Sequence, residues 1–376
     1  MRAVTEPLLI LTMNDSALTD LSGENATLAT CAVRFDMSPG RAEPIVVIVT
    51  SAFILAGNAI ILVTLGTTKS VSNPHSYLLS ALAVGGFVMG CIAALAIYPA
   101  LAHCWPYGDT VCQLSAYTLN ACSTFNLLIL VLLSLERYAA TVYPIWYRIF
   151  VTKVKMGSAI TCCGSLSVLL LVVMFILQSD YEYSFQAYIC KTTLSSFETY
   201  RWILSCVLLI PSFVIITYTS AVMLLTALRR SRQRQRLFGT SPTAADTQPR
   251  SNTRQTSTFS QQNSRLLKVS VLILLTFYVS WVPSTVRTIL EQINVDDSDV
   301  STNAPKFEFI ASWLFISNTV FNILIYFFMI KLFRARVKEL CAKLCCCACK
   351  AFRRSRSKDD GLTTYPRPQA IPISVI

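Results

Sequence analysis

The sequence is short of charge. Only 14% of its 376 residues are Asp, Glu, Lys or Arg, against about a quarter in soluble proteins. A soluble fold of this size cannot cover its surface with so few ionised groups. Glycine is scarce too, 12 residues, which excludes a collagen-like repeat. With 53% hydrophobic residues and a mean hydropathy of +0.53, the chain is not a disordered one. Internal repeats are absent to inspection, so nothing suggests a transporter built from duplicated halves. A net charge of +12 would suit nucleic acid if spread over a soluble domain. Here the basic residues lie in clusters between apolar runs, and no nucleic-acid partner is expected.

What is abundant is apolar length. A helix rises about 1.5 Å per residue and the hydrocarbon core is about 30 Å thick, so roughly twenty apolar residues span it. Seven such stretches occur, near 44–66, 76–101, 111–138, 157–178, 202–228, 266–290 and 307–329. They define an all-α membrane protein, a seven-transmembrane helix bundle. Residues 1–42 form a polar tail, 43–330 the bundle with a long connection at 229–265, 331–349 a cysteine-rich amphipathic segment, and 350–376 a terminal tail. An apolar patch at 8–13 is too short to span and lacks the flanks of a cleaved leader, so the first span is expected to act as signal anchor.

Basic residues set the orientation. With residue 1 outside, inner segments hold 25 of the 32 Lys and Arg, and outer segments hold 15 of the 20 acids. Asn14 and Asn25 both open glycosylation sequons in the proposed outer tail. The 14 cysteines partition likewise. Cys31, Cys104, Cys112 and Cys190 face the oxidising side. Cys345, Cys346, Cys347 and Cys349 crowd the opposite end, where palmitoylation is the expected use. No histidine lies near them to favour a metal, and no cofactor is expected.

Several residues inside the spans are more than lipid anchoring needs. Asn58 follows Gly57 in the first. Glu136-Arg137-Tyr138 closes the third. Phe277, Trp281 and Pro283 share the sixth, the proline breaking the backbone ladder. Asn318 and Asn322 lie four apart on one face of the seventh, with Tyr326 a further turn along. Intramembrane polar groups are costly and should face the bundle interior.

These motifs resemble the rhodopsin-like (class A) G-protein-coupled receptors over about residues 40–345. Gly57-Asn58 resembles the first-helix motif, and Glu136-Arg137-Tyr138 with Pro144 the third-helix arginine motif. Trp105-Pro106-Tyr107-Gly108 before Cys112 resembles the first outer loop. Phe277, Ser280-Trp281-Val282-Pro283 and Asn322-Ile323-Leu324-Ile325-Tyr326 resemble the sixth- and seventh-helix motifs. The resemblance implies a receptor, not an enzyme, at the plasma membrane. It further implies a Cys112–Cys190 disulfide, with a Cys31–Cys104 pair or a free thiol at Cys104 both open. Glu136, Arg137, Tyr138, Phe277, Trp281, Pro283, Asn322 and Tyr326 would serve switching and G-protein coupling. Leu119, Asn120, Ser123, Trp281, Arg287, Glu291, Trp313 and Ile316 would line a ligand pocket. Arg287 and Glu291 are also spaced to pair along one helix face.

The departures are equally specific. Gly86 stands where the family usually has an aspartate, so no sodium ion is expected, although Asn126, Asn318 and Asn322 could form a neutral polar cluster. Ile323 replaces the usual seventh-helix proline. The fourth span has no tryptophan, Tyr218 follows Pro211 by seven residues rather than eight, and the sixth span opens without an acid to meet Arg137. Leu119 replaces the aspartate of amine receptors. The outer segments are acidic and aromatic, which favours a cationic ligand, a basic peptide first, with a lipid or other small molecule as the alternative.

Alternatives from other classes fare less well. A transporter or channel wants midplane charges, which these spans nearly lack. A retinal protein needs a lysine within the last span, and none lies between Phe307 and Met329. A constitutive or scaffolding receptor fold is the rival, and Gly86 and the missing inner acid favour it. At the inner side, the segment from 331 to 344 reads as a short amphipathic eighth helix on membrane lipid. Residues 239–265 read as a polar loop with phosphosites that arrestin could meet, or as a spacer. The terminus Ser374-Val375-Ile376 resembles ligands of PDZ domains.

Overall fold

Long apolar runs free of internal breakers can satisfy their backbone groups in lipid only as helices, and helices dominate the computed structural model. It describes residues 42–67, 74–176, 181–192, 205–238, 271–272, 274–290 and 304–329, with a few beyond. Helix α1 is Glu43–Thr67, α2 Pro74–Leu95, α3 Ile97–Ala102, α4 Gly108–Val142, α5 Pro144–Phe150 and α6 Lys153–Ile176. A hairpin of β1, Tyr181–Ser184, and β2, Ile189–Thr192, comes next. A π-helical turn at Ser205–Leu209 leads into α7, Ile210–Phe238. Helix α8 covers 274–290, and α9 is Ala304–Met329.

Among the described residues, six helical segments are long and apolar enough to cross a membrane, α2 and α3 counting as one. Residues 274–290 are a further helix at the sixth apolar stretch. The chain forms two compact units, Met1–Ile325 and Tyr326–Ile376. In the second, Arg334, Ala335, Val337, Lys338, Glu339 and Ala342 are helical. Asn14, Asn25, Cys31, the 239–265 loop, Glu291, Cys345 to Cys349 and Ser374 to Ile376 lie outside the described residues.

Two boundaries differ from expectation. The arginine motif does not end its helix: α4 continues to Val142, because no breaker intervenes before Pro144. Proline pushes its predecessor out of the α region, and Tyr143 sits at φ −123°, ψ 63°. Pro144 then starts α5, where its missing N–H costs nothing. Pro211 likewise is the second residue of α7, just past the π turn, where the ladder is already interrupted.

Small residues bring three helices together. A Cβ at Gly86 would stand 2.5 Å from the Thr319 methyl and 2.7 Å from Asn58 Oδ1, so α1, α2 and α9 meet at that glycine. Ser51 donates to the Ala93 carbonyl at 2.9 Å, tying α1 to α2. Ile323 fills space over Gly57, its Cδ1 lying 2.5 Å from a Cβ built there. Isoleucine in place of proline is therefore a packing residue. Asn126, Asn318 and Asn322 are all buried, but Asn126 Oδ1 has no hydrogen-bond partner among the described residues.

Candidate functional site: the two ends of the bundle

Helix α4 carries Cys112 near its start and Arg137 25 residues later, about 38 Å along the axis. The Cys112–Cys190 disulfide joins β2 to α4, with Cα atoms 5.3 Å apart. Cys104 is disulfide-bonded as well, so the free-thiol alternative falls away. Closing a loop of 78 residues stabilises by about 4.5 kcal/mol in the chain-entropy account. Serine at either Cys112 or Cys190 should therefore lower surface delivery several-fold. Normal delivery and heat resistance of both variants would refute this.

The hairpin was not anticipated. Its strands pair antiparallel, with Glu182 opposite Lys191 and Tyr183 opposite Cys190. Aromatic and β-branched residues suit a half-buried strand, and Lys191 Nζ lies 3.4 Å from Glu182 Oε1. Its turn lacks the glycine or asparagine that marks such turns in a sequence; Tyr188 instead takes φ +59°. On the Cys190 face, the Tyr183 ring packs on Trp105, 5.7 Å between centroids, and burial pushes the Tyr183 hydroxyl pKa up. Trp105 donates to the Gly108 carbonyl at 2.9 Å, fixing the entry to α4.

At this end three of the residues expected to line a pocket lie together. Leu119, Trp313 and Ile316 are buried in one apolar cluster with Met89, Phe309, Ala187, Tyr188 and Ile189. Trp313 donates its indole N–H to the Ala187 carbonyl at 3.0 Å. Asn120 Nδ2 lies 3.3 Å from Thr192 Oγ1 on the hairpin, and Ser123 bonds back to the Leu119 carbonyl at 2.6 Å. Below them Trp281 stacks edge-on to Phe315 at 4.9 Å and tilts against Phe277 at 5.8 Å, which meets Phe213 at 4.7 Å. The Trp281 indole N–H is buried without a partner among the described residues. Pro283 sits half-buried one residue pair further along α8.

A charged cluster rims the site. Glu308 Oε1 receives Arg287 Nη1 at 2.9 Å and Lys191 Nζ at 3.2 Å, and the Ser184 hydroxyl donates to it as well. Arg287 thus reaches across to α9 rather than only along its own helix. Glu308 carries a readable sequence signal, an acid inside an apolar run. Glu43 carries none, yet its Oε2 accepts from the Tyr188 hydroxyl at 2.7 Å.

At the opposite end Glu136 is the hub. Its Oε2 lies 3.3 Å from Arg137 Nε and 3.2 Å from His75 Nδ1. Its Oε1 accepts from the Tyr147 hydroxyl of α5 at 2.6 Å. Burial, then the Glu136 carboxylate, hold the Tyr147 pKa above the usual phenol range, so Tyr147 is the donor. Tyr138 lies between Tyr143 and Tyr218, at 6.0 and 6.2 Å. Arg230 of α7 donates to the Thr141 carbonyl at 3.0 Å, near the carbonyl-rich end of α4. Glu136 thus gathers partners from α2, α4 and α5.

Known proteins are similar to this chain in sequence. The pattern described as 7 transmembrane receptor (rhodopsin family) matches residues 57–326. The trace amine-associated receptor 8b of Rattus norvegicus is 25% identical over 87% of this chain and 94% of its own. The trace amine-associated receptor 7f of Mus musculus is 23% identical over 81% of this chain and 84% of its own. Human trace amine-associated receptor 1 is 28% identical over a shorter stretch, 29% of this chain and 31% of its own. With the family pattern running from Gly57 to Tyr326, this chain is a receptor of the rhodopsin family of G-protein-coupled receptors, a seven-helix, multi-pass membrane protein.

Proposed function

We propose that this receptor sits in the plasma membrane with its amino terminus and disulfide end outside and its carboxyl terminus in the cytoplasm. There it passes the binding of an extracellular cationic ligand, a basic peptide first, to heterotrimeric G proteins. The observation that carries the signalling part is the placement of two polar devices on one continuous helix. Cup residues Leu119, Asn120 and Ser123 and the Glu136–Arg137 pair are both in α4. The ring series Phe315, Trp281, Phe277 and Phe213 leads from the cup into α7 and α8. A ligand that favours one packing of these rings shifts the population by its differential affinity alone.

The ligand class rests on charge. At the mouth the three carboxylates of Glu43, Glu182 and Glu308 outnumber the two cations Arg287 and Lys191 that pair with them, and Glu182 is 54% exposed. The relatives are named for trace amines, but Leu119 is buried and apolar where amine receptors of this family carry an aspartate. A larger cationic ligand can instead meet the rim carboxylates. Trp281's unpaired N–H offers a donor at the floor, and a buried donor left unmet costs about 1–3 kcal/mol.

Arg137→Ala tests the signalling reading. Surface delivery should be retained and stimulated second-messenger output lost, with basic peptides and amines screened side by side on the parent. Equal output from Arg137→Ala at matched expression would refute G-protein coupling through this residue. A receptor silent with and without the arginine would instead support the scaffold reading, which Gly86 favours. Arrestin at the 239–265 loop, palmitoylation at Cys345, Cys346, Cys347 and Cys349, and a PDZ protein at Ser374-Val375-Ile376 belong to the same cytoplasmic proposal.

A further inference from the structure

Resting on that receptor reading, we infer that the tip of the β1–β2 hairpin is itself the resident occupant of the ligand cup, a displaceable plug that holds the bundle closed. The turn divides sharply. Phe185 is 65% exposed, whereas Ala187 and Tyr188 are 1% and 2% exposed. The inward pair does not pack only on its own loop. Ala187, Tyr188 and Ile189 belong to the apolar cluster that contains Leu119, Phe309, Trp313 and Ile316, with Phe315 packed against it. These are residues a ligand entering from the disulfide end would have to touch. The Trp313 indole spends its donor on the Ala187 carbonyl, and the Tyr188 ring lies 6.1 Å from that of Phe309.

The tip is fastened by side chains from distant helices. Tyr188 bonds Glu43 of α1, and Ser184 and Lys191 bond Glu308 of α9. The turn itself is braced by Ala187 N–H to Ser184 Oγ at 3.1 Å and Tyr188 N–H to the Ser184 carbonyl at 2.8 Å. Tyr188 adopts a left-handed conformation, φ +59°, that is costly for a bulky residue and persists only when its surroundings over-determine it. Here the surroundings are the cup wall. The filled cup coexists with the Glu136–Arg137 ion pair at the opposite end, and the plug would hold that pairing as the resting packing.

The plug is tested by access, with signalling as a second readout. In the full-length receptor on cells, Leu119→Cys is labelled with a membrane-impermeant thiol reagent, with the parent's rate subtracted. The plug predicts slow labelling, accelerated tenfold or more by Tyr188→Ala. Tyr188→Phe, which removes the fastening bond, and Glu43→Gln, which weakens it, should give smaller accelerations in the same direction and keep the test intact if the alanine variant fails to reach the surface. Basal G-protein output should rise in the variants that label faster. Labelling already fast in the Leu119→Cys receptor, or rates within twofold across the series, would overturn the plug. Faster labelling with unchanged or lower basal output would overturn its restraining role. Because labelling needs no G protein, a chain that proved unable to signal would still report whether its cup is plugged.

Discussion

An aspartate at position 86 should strip this receptor from the cell surface, although an aspartate is what its family usually carries there. The reason is local. Even a single Cβ at Gly86 would press on the Thr319 methyl at 2.5 Å and on both polar atoms of the Asn58 amide at 2.7 and 2.8 Å. Overfilling a packed interior costs typically about 1–3 kcal/mol, and an uncompensated buried carboxylate adds about 3–5 more. Gly86→Ala should be intermediate in yield and heat resistance. Adding Thr319→Ser removes the offending methyl and should recover part of that loss, while the Asn58 contact remains. The measurement is surface yield and thermal half-life in detergent. Parental values for Gly86→Asp would show that α1, α2 and α9 do not meet as closely as described.

Replacing Glu136 by glutamine should raise basal G-protein output several-fold. Glu136 is 4% exposed and receives Arg137, His75 and Tyr147. Hydrogen bonds to a charged group contribute about 1.5–3 kcal/mol each, and about 1.4 kcal/mol is a tenfold change in an equilibrium. If these bonds exist only in the resting packing, removing the charge frees Arg137 and shifts the population toward the open one. Tyr147→Phe, which deletes one bond and leaves the carboxylate, should raise output less. Glu136→Gln combined with Arg137→Ala should be silent. Basal second messenger at matched surface levels decides it: no rise with Glu136→Gln means the cluster is not a restraint.

Much of the fold was legible because lipid leaves the backbone few choices. Seven apolar stretches of spanning length had to be helices, and their polar residues had to point inward. Asn58, Asn126, Asn318 and Asn322 are all buried. Helix ends were less legible. The α4 end moved from 138 to Val142 because length in lipid says nothing about where a helix stops beyond it. There a proline decides.

The disulfide end was the least legible part. Tyr181 to Thr192 reads as a connection, and nothing at positions 185–188 marks a turn. Which residues of such a loop face inward depends on surfaces supplied by α1, α4 and α9, far away in sequence. Tyr188 meets Glu43 across 145 positions and Ser184 meets Glu308 across 124. Arg287 was readable as a charged residue at a helix end, but its partner on α9 was not.

The sequence by itself determined the class, the span count and the motif positions, because hydrophobic length and polar cost act locally along the chain. Whether Gly86 is an empty ion site or a crowded helix contact was decided only in three dimensions. So were the partners of Glu136 and the placement of the hairpin tip. Each depends on distances between helices that no spacing within one helix encodes. Those distances are set by the joint packing of side chains from three or more elements.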